Sequence, residues 1–224
     1  EEYVEAFRNF IKKITSGGIL VYNEEDENLV KLVDEAENYF RKMPYKTPNY
    51  ETKNGKTSVE TEMGQIPLKI FGKHNLLNLE GARLICNQLG ILDEDFYEAM
   101  MSFSGASKRL EKVKRNDDVI LYRDFAHAPS KVKASVDAFA EQFPAMKKVG
   151  VLELHTYSSL NPEFLPQYKN TLAQLDEAVV FYDLEALKIK NMTPISPELI
   201  KESFGKENLQ VFTNADDLKI FGKI

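Results

Sequence analysis

Residues 119–154, VILYRDFAHAPSKVKASVDAFAEQFPAMKKVGVLEL, decide the fold. Val119–Tyr122 is a short apolar run, Ser130–Phe143 reads as a helix, and Val149–Leu154 is a second apolar run. Strand, helix and strand in this order make a βαβ unit, whose right-handed crossover lays the two strands parallel. The alternation continues downstream. Pro162–Leu175 reads as a helix, Ala178–Tyr182 as a strand, Pro197–Ser203 as a helix and Leu209–Phe212 as a strand. Strands separated by helices of this length predict an α/β unit with a parallel sheet over residues 119–212 and helices on both its faces.

Upstream the pattern is different. Val4, Phe7, Ile11 and Ile14 recur at steps of three and four, which predicts a helix ended by Ser16-Gly17-Gly18. Ile19–Tyr22 follows as a buried strand, and Asn23 and Asp26 open a second helix carrying Leu29, Val33, Ala36 and Phe40. A helix–strand–helix opening is expected of an α/β domain whose first part lies upstream, so the sequence reads as a fragment. In residues 43–58 threonine and tyrosine alternate with Pro44 and Pro48, and Asn54-Gly55 is a strong hairpin-turn signal. Thr57–Glu62 and Ile66–Phe71 are the strands expected around it. Helical periodicity returns from His74 to Gly90, with Gly90 as C-terminal cap, and again over Asp93–Phe103, closed by Ser104-Gly105. The tripeptide Phe-Gly-Lys begins at 71, 204 and 221; its unequal spacing rules out a repeat.

Composition narrows the function classes. Of 224 residues, 43% are apolar and 29% charged, the profile of a globular chain with a substantial core. No apolar run approaches the ~20 residues that span a bilayer, and the acidic, amphipathic first residues do not resemble a secretory signal. The formal net charge of −6 disfavours non-specific nucleic-acid binding. Lys112–Arg115 is the densest basic stretch, but Glu111, Asp117 and Asp118 dilute it into an ordinary solvated surface. The single cysteine, Cys86, lies in an apolar helical stretch and reads as a structural thiol. A cytoplasmic setting is consistent with that cysteine usage.

Gly55-Lys56-Thr57 imitates the end of a phosphate-binding loop, but Tyr50 stands where the first glycine belongs, and a strand rather than a helix follows. Glu153 and His155 share a strand face, which is only the start of a metal site. More informative are polar clusters at the ends of apolar segments. Asn75 and Asn78 lie one turn apart at a helix start, where two carboxamides can present a donor and an acceptor to a purine edge; helix capping by Asn75 is the simpler reading. Arg109 precedes the parallel sheet, placed to fork onto phosphate or carboxylate. Asp124 follows the strand Val119–Tyr122, at the carboxyl edge where open α/β sheets present ligand-binding groups; an ordinary turn aspartate is the alternative.

Taken in order, Gly72-x-His74-Asn75-x-x-Asn78, Phe103-Ser104-Gly105, Arg109-Leu110-Glu111 and Asp124-Phe125-Ala126-His127-x-Pro129 resemble the Mur ligase family of ATP-dependent amide-forming enzymes. The resemblance covers nearly the whole chain. It implies that residues 1–106 are the C-terminal part of an α/β, P-loop-type central ATP-binding domain. Residues 107–224 would be the Rossmann-like C-terminal domain with its parallel sheet, lacking its last strand. It further implies that Asn75 and Asn78 bind adenine with support from His74, that Arg109 reaches the phosphates, and that Asp124 holds the ribose. His127 and His155 would line the place of the incoming amine.

No catalytic residue is expected within these residues, and the ligands of the accompanying Mg²⁺ are expected upstream. Two positions depart from the family pattern: Arg123 replaces an acidic residue and Ala128 a histidine. Both bear on the amine side of the site. Asp-Phe-Ala-His is more similar to the members that join L-alanyl-γ-D-glutamyl-meso-diaminopimelate to UDP-N-acetylmuramate in cell-wall recycling than to those that add L-alanine. The segment Glu153–Leu160 carries hydroxyls and an imidazole toward that site but no arginine for a substrate carboxylate. The competing readings are an L-alanine-adding ligase, a folate-polyglutamylating ligase, and a non-catalytic nucleotide-binding or interaction module.

Overall fold

The computed structural model describes residues 2–221, so the third Phe-Gly-Lys lies only partly within the described residues. The chain divides into two compact units, Glu1–Ser104 and Gly105–Ile224.

The first unit opens with α1 (Glu2–Lys12), β1 (Ile19–Asn23) and α2 (Glu27–Asp34). Asp26 caps α2 by accepting from the amides of Asn28 and Leu29 at 3.1 Å, satisfying donors that a helix start leaves open. The helix does not reach Ala36 and Phe40 as its spacing predicts. Asn38 instead donates to the carbonyls of Ile11 and Ile14 at 3.1 and 3.0 Å, closing the end of α1 and drawing the chain out of α2. Phe40 is buried all the same, with Ile11, Leu32 and Val33.

A strand that periodicity did not reveal, β2 (Arg41–Tyr45), then pairs parallel to β1 from Ile19↔Arg41 to Asn23↔Tyr45. The expected hairpin is present. β3 (Tyr50–Lys53) and β4 (Lys56–Thr61) are antiparallel around Asn54 and Gly55, whose φ values of 52° and 70° suit a primed turn. A second turn leads to β5 (Gly64–Leu68). Both α3 (Lys73–Gln88) and α4 (Asp93–Ser102) contribute to the core of this layer through Leu76, Leu79, Phe96 and Tyr97. Arg83 ties them together, bonding Glu80 as close as 2.5 Å and Asp93 at 2.8 Å.

The second unit begins with an antiparallel pair, β6 (Glu111–Arg115) and β7 (Ile120–Arg123). After α5 (Pro129–Gln142) come β8 (Val149–Glu153), β9 (Glu177–Phe181), α6 (Leu184–Ile189), α7 (Pro197–Phe204), β10 (Leu209–Phe212) and α8 (Ala215–Phe221). The parallel sheet is present in the order β10-β9-β8. Its central strand is the most buried, with Ala178, Val179 and Val180 at 1% exposure or less, as a strand covered on both faces requires.

Two expectations need correction. The first strand of the βαβ unit is not hydrogen-bonded into that sheet: β7 pairs with β6, and a cleft of about 340 Å³ lined by Leu121, Tyr122, Phe139, Val149 and Val151 separates it from β8. Residues 162–175 do not form one helix either. Leu165, Tyr168, Leu172 and Leu175 are buried at helical spacing, but only a 3₁₀ turn, Leu165–Tyr168, forms. Pro166 supplies no N–H there, and Asn170 turns the chain at φ 63°.

Candidate functional site

In the first unit, Gly72 is the N-cap of α3 at φ 87°, a conformation that favours glycine, and it provides no side-chain cap. Asn75 does not cap the helix. Its Nδ2 donates to the Phe71 carbonyl at 2.9 Å, which leaves the carboxamide oxygen as an acceptor. That oxygen accepts nothing from the described residues, and Asn78, one turn on, is exposed with its side chain unbonded among them. His74 is half-buried beside them. The helix start is anchored by Lys73, which pairs at 2.9 Å with Glu25. Glu25 is held below the ordinary carboxylate range by Lys73 and by the Thr47 amide.

In the second unit, the ends of β7 and β8 gather the remaining candidates. Asp124 follows β7 directly. Its Oδ1 accepts from the Leu110 and Phe125 amides at 3.2 and 2.9 Å, and its Oδ2 accepts from the Ser135 hydroxyl at 2.5 Å. The carboxylate therefore fixes the loop before β6 against the end of β7 and the first turns of α5. Lys108 and Leu110, on either side of Arg109, adopt φ values of 58° and 43°, a left-handed geometry uncommon for such side chains. The Arg109 guanidinium projects from this clamped loop and bonds to none of the described residues.

Arg123, one of the departures from the family pattern, sits directly opposite Glu111 in the ladder and bonds it at 2.9 Å. The Glu111 carboxyl is held below its ordinary range by the Lys108 amide and then by Arg123. Arg123 thus fastens the same loop from its other end.

His127 and His155 come together from the two strand ends, with ring centroids 6.0 Å apart and the Phe125 ring 5.1 and 6.2 Å from them. His127 is held twice: its Nδ1 bonds the Phe125 carbonyl at 2.9 Å, and its own carbonyl accepts from the buried Tyr168 hydroxyl. Desolvation pushes the Tyr168 phenol up to about 12, from an ordinary 10.0 at which it is already a donor at neutral pH. Ser135 and Tyr168 were invisible as site residues in the sequence, because neither lies near a motif.

The hydroxyls expected to face a ligand in residues 155–159 do not all do so. Thr156 and Ser159 bond each other and each other's amides at 2.8 to 3.1 Å, and Ser159 is 1% exposed. Among the described residues no group of three or more His, Cys, Asp or Glu is placed to hold a metal ion, and no helix is long and apolar enough to cross a membrane.

The second unit thus carries an arginine loop before β6 and an aspartate and two histidines at the ends of β7 and β8, and the first carries two asparagines at a helix start. No family model matches the chain. The UDP-N-acetylmuramate–L-alanine ligase of Caldicellulosiruptor bescii is 29% identical over 205 residues, 86% of this chain and 44% of that protein.

The crystal structure of the UDP-N-acetylmuramate–alanine ligase of Thermotoga maritima superposes with a TM-score of 0.68 at 18% identity, covering 97% of this chain and 47% of that one. A murein peptide ligase from Psychrobacter arcticus gives 0.61 at 15%, covering 97% and 48%. The folylpolyglutamate synthase of Mycobacterium tuberculosis, solved with ADP and AMPPCP, gives 0.66 at 14%, covering 100% and 52%. The chain spans about half the length of the relatives it matches. In sequence the chain is similar to UDP-N-acetylmuramate–L-alanine ligases, and in fold to these solved ligases.

Proposed function

We propose that this chain contributes the nucleotide-orienting and amine-side surfaces of an ATP-dependent ligase that joins UDP-N-acetylmuramate to an amine. In the reaction, a carboxylate oxygen of the muramate attacks the γ-phosphorus of ATP and ADP leaves. The amine then attacks the acyl carbon, and phosphate departs as the amide forms.

Residues 1–106 would belong to the ATP-binding domain and 107–224 to the C-terminal one. Asn75 would turn its carboxamide oxygen, and Asn78 its whole carboxamide, toward adenine. Asp124 keeps one acceptor position for ribose while its other bonds hold the Arg109 loop, and Arg109 meets phosphate. Mg²⁺ would lower the repulsion between nucleotide and carboxylate; no residue described here is assigned to it. The observation that carries the reading is Asp124, which couples the strand end, the arginine loop and α5 through one carboxylate.

For the amine we favour the murein tripeptide over L-alanine. Phe125, whose ring lies against both histidines, and Tyr157, two residues beyond His155, are 57% and 66% exposed, open aromatic surface rather than an enclosure shaped to a methyl group. The named sequence relatives keep L-alanine as the second reading. The test uses the polypeptide encoded by the complete open reading frame, with ATP, UDP-N-acetylmuramate and either amine, and identifies the product by mass. Formation of the muramoyl tripeptide well above the L-alanine adduct is expected. A preference for L-alanine would reverse the assignment, and ATP-dependent product with neither amine would remove the function.

A further inference from the structure

The segment from His155 to Leu160 contains no lysine or arginine, and its Thr156 and Ser159 hydroxyls are consumed in a closed turn. An amine substrate bearing a carboxylate therefore finds no counter-charge on the loop that follows β8. The structure brings one there from a different element. Lys190 caps the C-terminus of α6, and its ammonium crosses to the His155 carbonyl at 2.6 Å while standing 4.4 Å over the Tyr157 ring.

Lys190 is half-buried and pairs with no carboxylate among the described residues. An ammonium has three donors. One goes to the carbonyl and the aromatic face covers part of the rest, which leaves a fixed, half-buried charge between the end of β8 and Tyr157. The neighbouring His155 Nδ1 is buried with no hydrogen-bond partner.

We infer that Lys190 is the residue that receives the substrate carboxylate nearest the reacting amine. In the tripeptide this is the α-carboxylate of the γ-linked D-glutamyl residue. Tyr157 and the His155 carbonyl hold the ammonium for it. The inference rests on the proposed ligase reading and adds to it a specificity-determining residue from outside the motif-bearing segments.

The test compares Lys190→Gln and Lys190→Met with the parent, again as the product of the complete open reading frame. Glutamine can still donate to the His155 carbonyl, so it removes the charge without removing the loop contact. Both variants are assayed with the tripeptide and with its analogue in which D-isoglutamine replaces D-glutamate, converting that carboxylate to an amide. Expected is a tenfold to hundredfold rise in KM for the tripeptide, with kcat and the KM for ATP within about threefold of the parent. With the amide analogue, parent and variants should be alike.

Equal losses on both peptides would make Lys190 a structural clamp, and a rise confined to the KM for ATP would assign it to phosphate; either overturns the inference. A parent enzyme that fails to ligate the tripeptide would instead defeat the tripeptide reading on which the inference rests. If Lys190→Met loses its folded circular-dichroism signal, Lys190→Gln alone decides the matter.

Discussion

Replacing Tyr168 with phenylalanine tests how the second unit holds its amine-side residues. The hydroxyl is buried and donates to the carbonyl of His127, so Tyr168→Phe removes a donor and leaves that carbonyl unsatisfied without opening a cavity. The cost should be about 1–3 kcal/mol at pH 8.

A second effect has the opposite sign. The phenol titrates at about 12 in the folded chain against an ordinary 10.0, because burial disfavours the phenolate. A raised folded value means that the unfolded chain loses this proton first. Stability is complete below about pH 10 and declines between about 10 and 12, by about 1.4 kcal/mol per pH unit, or about 3 kcal/mol in all. The phenylalanine variant has no such loss. Urea denaturation of both proteins at intervals from pH 8 to 11.5 isolates the effect, because the remaining nine tyrosines cancel in the difference. The stability gap should narrow steadily above pH 10. A gap that is zero at pH 8 would deny the hydrogen bond, and one constant to pH 11.5 would deny the desolvation.

Three further outcomes are expected. Asp124→Ala should lower stability by about 1.5–3 kcal/mol by releasing the Leu110 and Phe125 amides and Ser135, and should also raise the KM for ATP several-fold. Ser135→Ala should lose about 1 kcal/mol and leave that KM unchanged, so similar nucleotide effects in both would remove Asp124 from direct contact. Arg83→Gln should cost about 1–2 kcal/mol at pH 7, limited because Asp93 is open to solvent and salt. Burial of Asp93 works against its ionised form, yet bonds from Asn87 and Arg83 hold its carboxyl below the ordinary value. Its contribution is therefore present above the unfolded value and fades as pH falls through the folded one. The difference between Arg83→Gln and parent should shrink in acid; a difference that grows there would contradict the ion pair.

The parts of the fold legible in the sequence were those whose physics is local and repetitive. β9 is a buried apolar run, the Asn54-Gly55 turn states its own geometry, and Asp26 caps a helix by its own side chain. What escaped depends on partners far along the chain. β2 reads Arg-Lys-Met-Pro-Tyr, with little apolar signal, and exists because β1 offers it a parallel edge. β6 reads as a basic surface patch until Arg123 is seen opposite Glu111. The buried spacing of Leu165, Tyr168, Leu172 and Leu175 imitates a helix, and only Pro166 and the left-handed Asn170 break it.

The candidate site divides in the same way. Asp124, Arg109 and the two histidines are visible at segment ends, where polar residues interrupt apolar runs. Ser135, Tyr168 and Lys190 look like ordinary members of an α-helix, a core and a charged surface. Their roles follow from a hydroxyl 2.5 Å from Asp124, a bond to the His127 carbonyl and an ammonium over Tyr157. No local pattern encodes such contacts.

The proposed reaction has a muramate carboxylate activated by phosphoryl transfer before the amine attacks. UDP-N-acetylmuramate labelled with ¹⁸O in its carboxylate, incubated with ATP, the tripeptide and the complete gene product, tests it directly. The phosphate released should carry one labelled oxygen from the carboxylate for each amide formed. Amide formation accompanied by unlabelled phosphate would contradict the acyl phosphate and the reaction built on it.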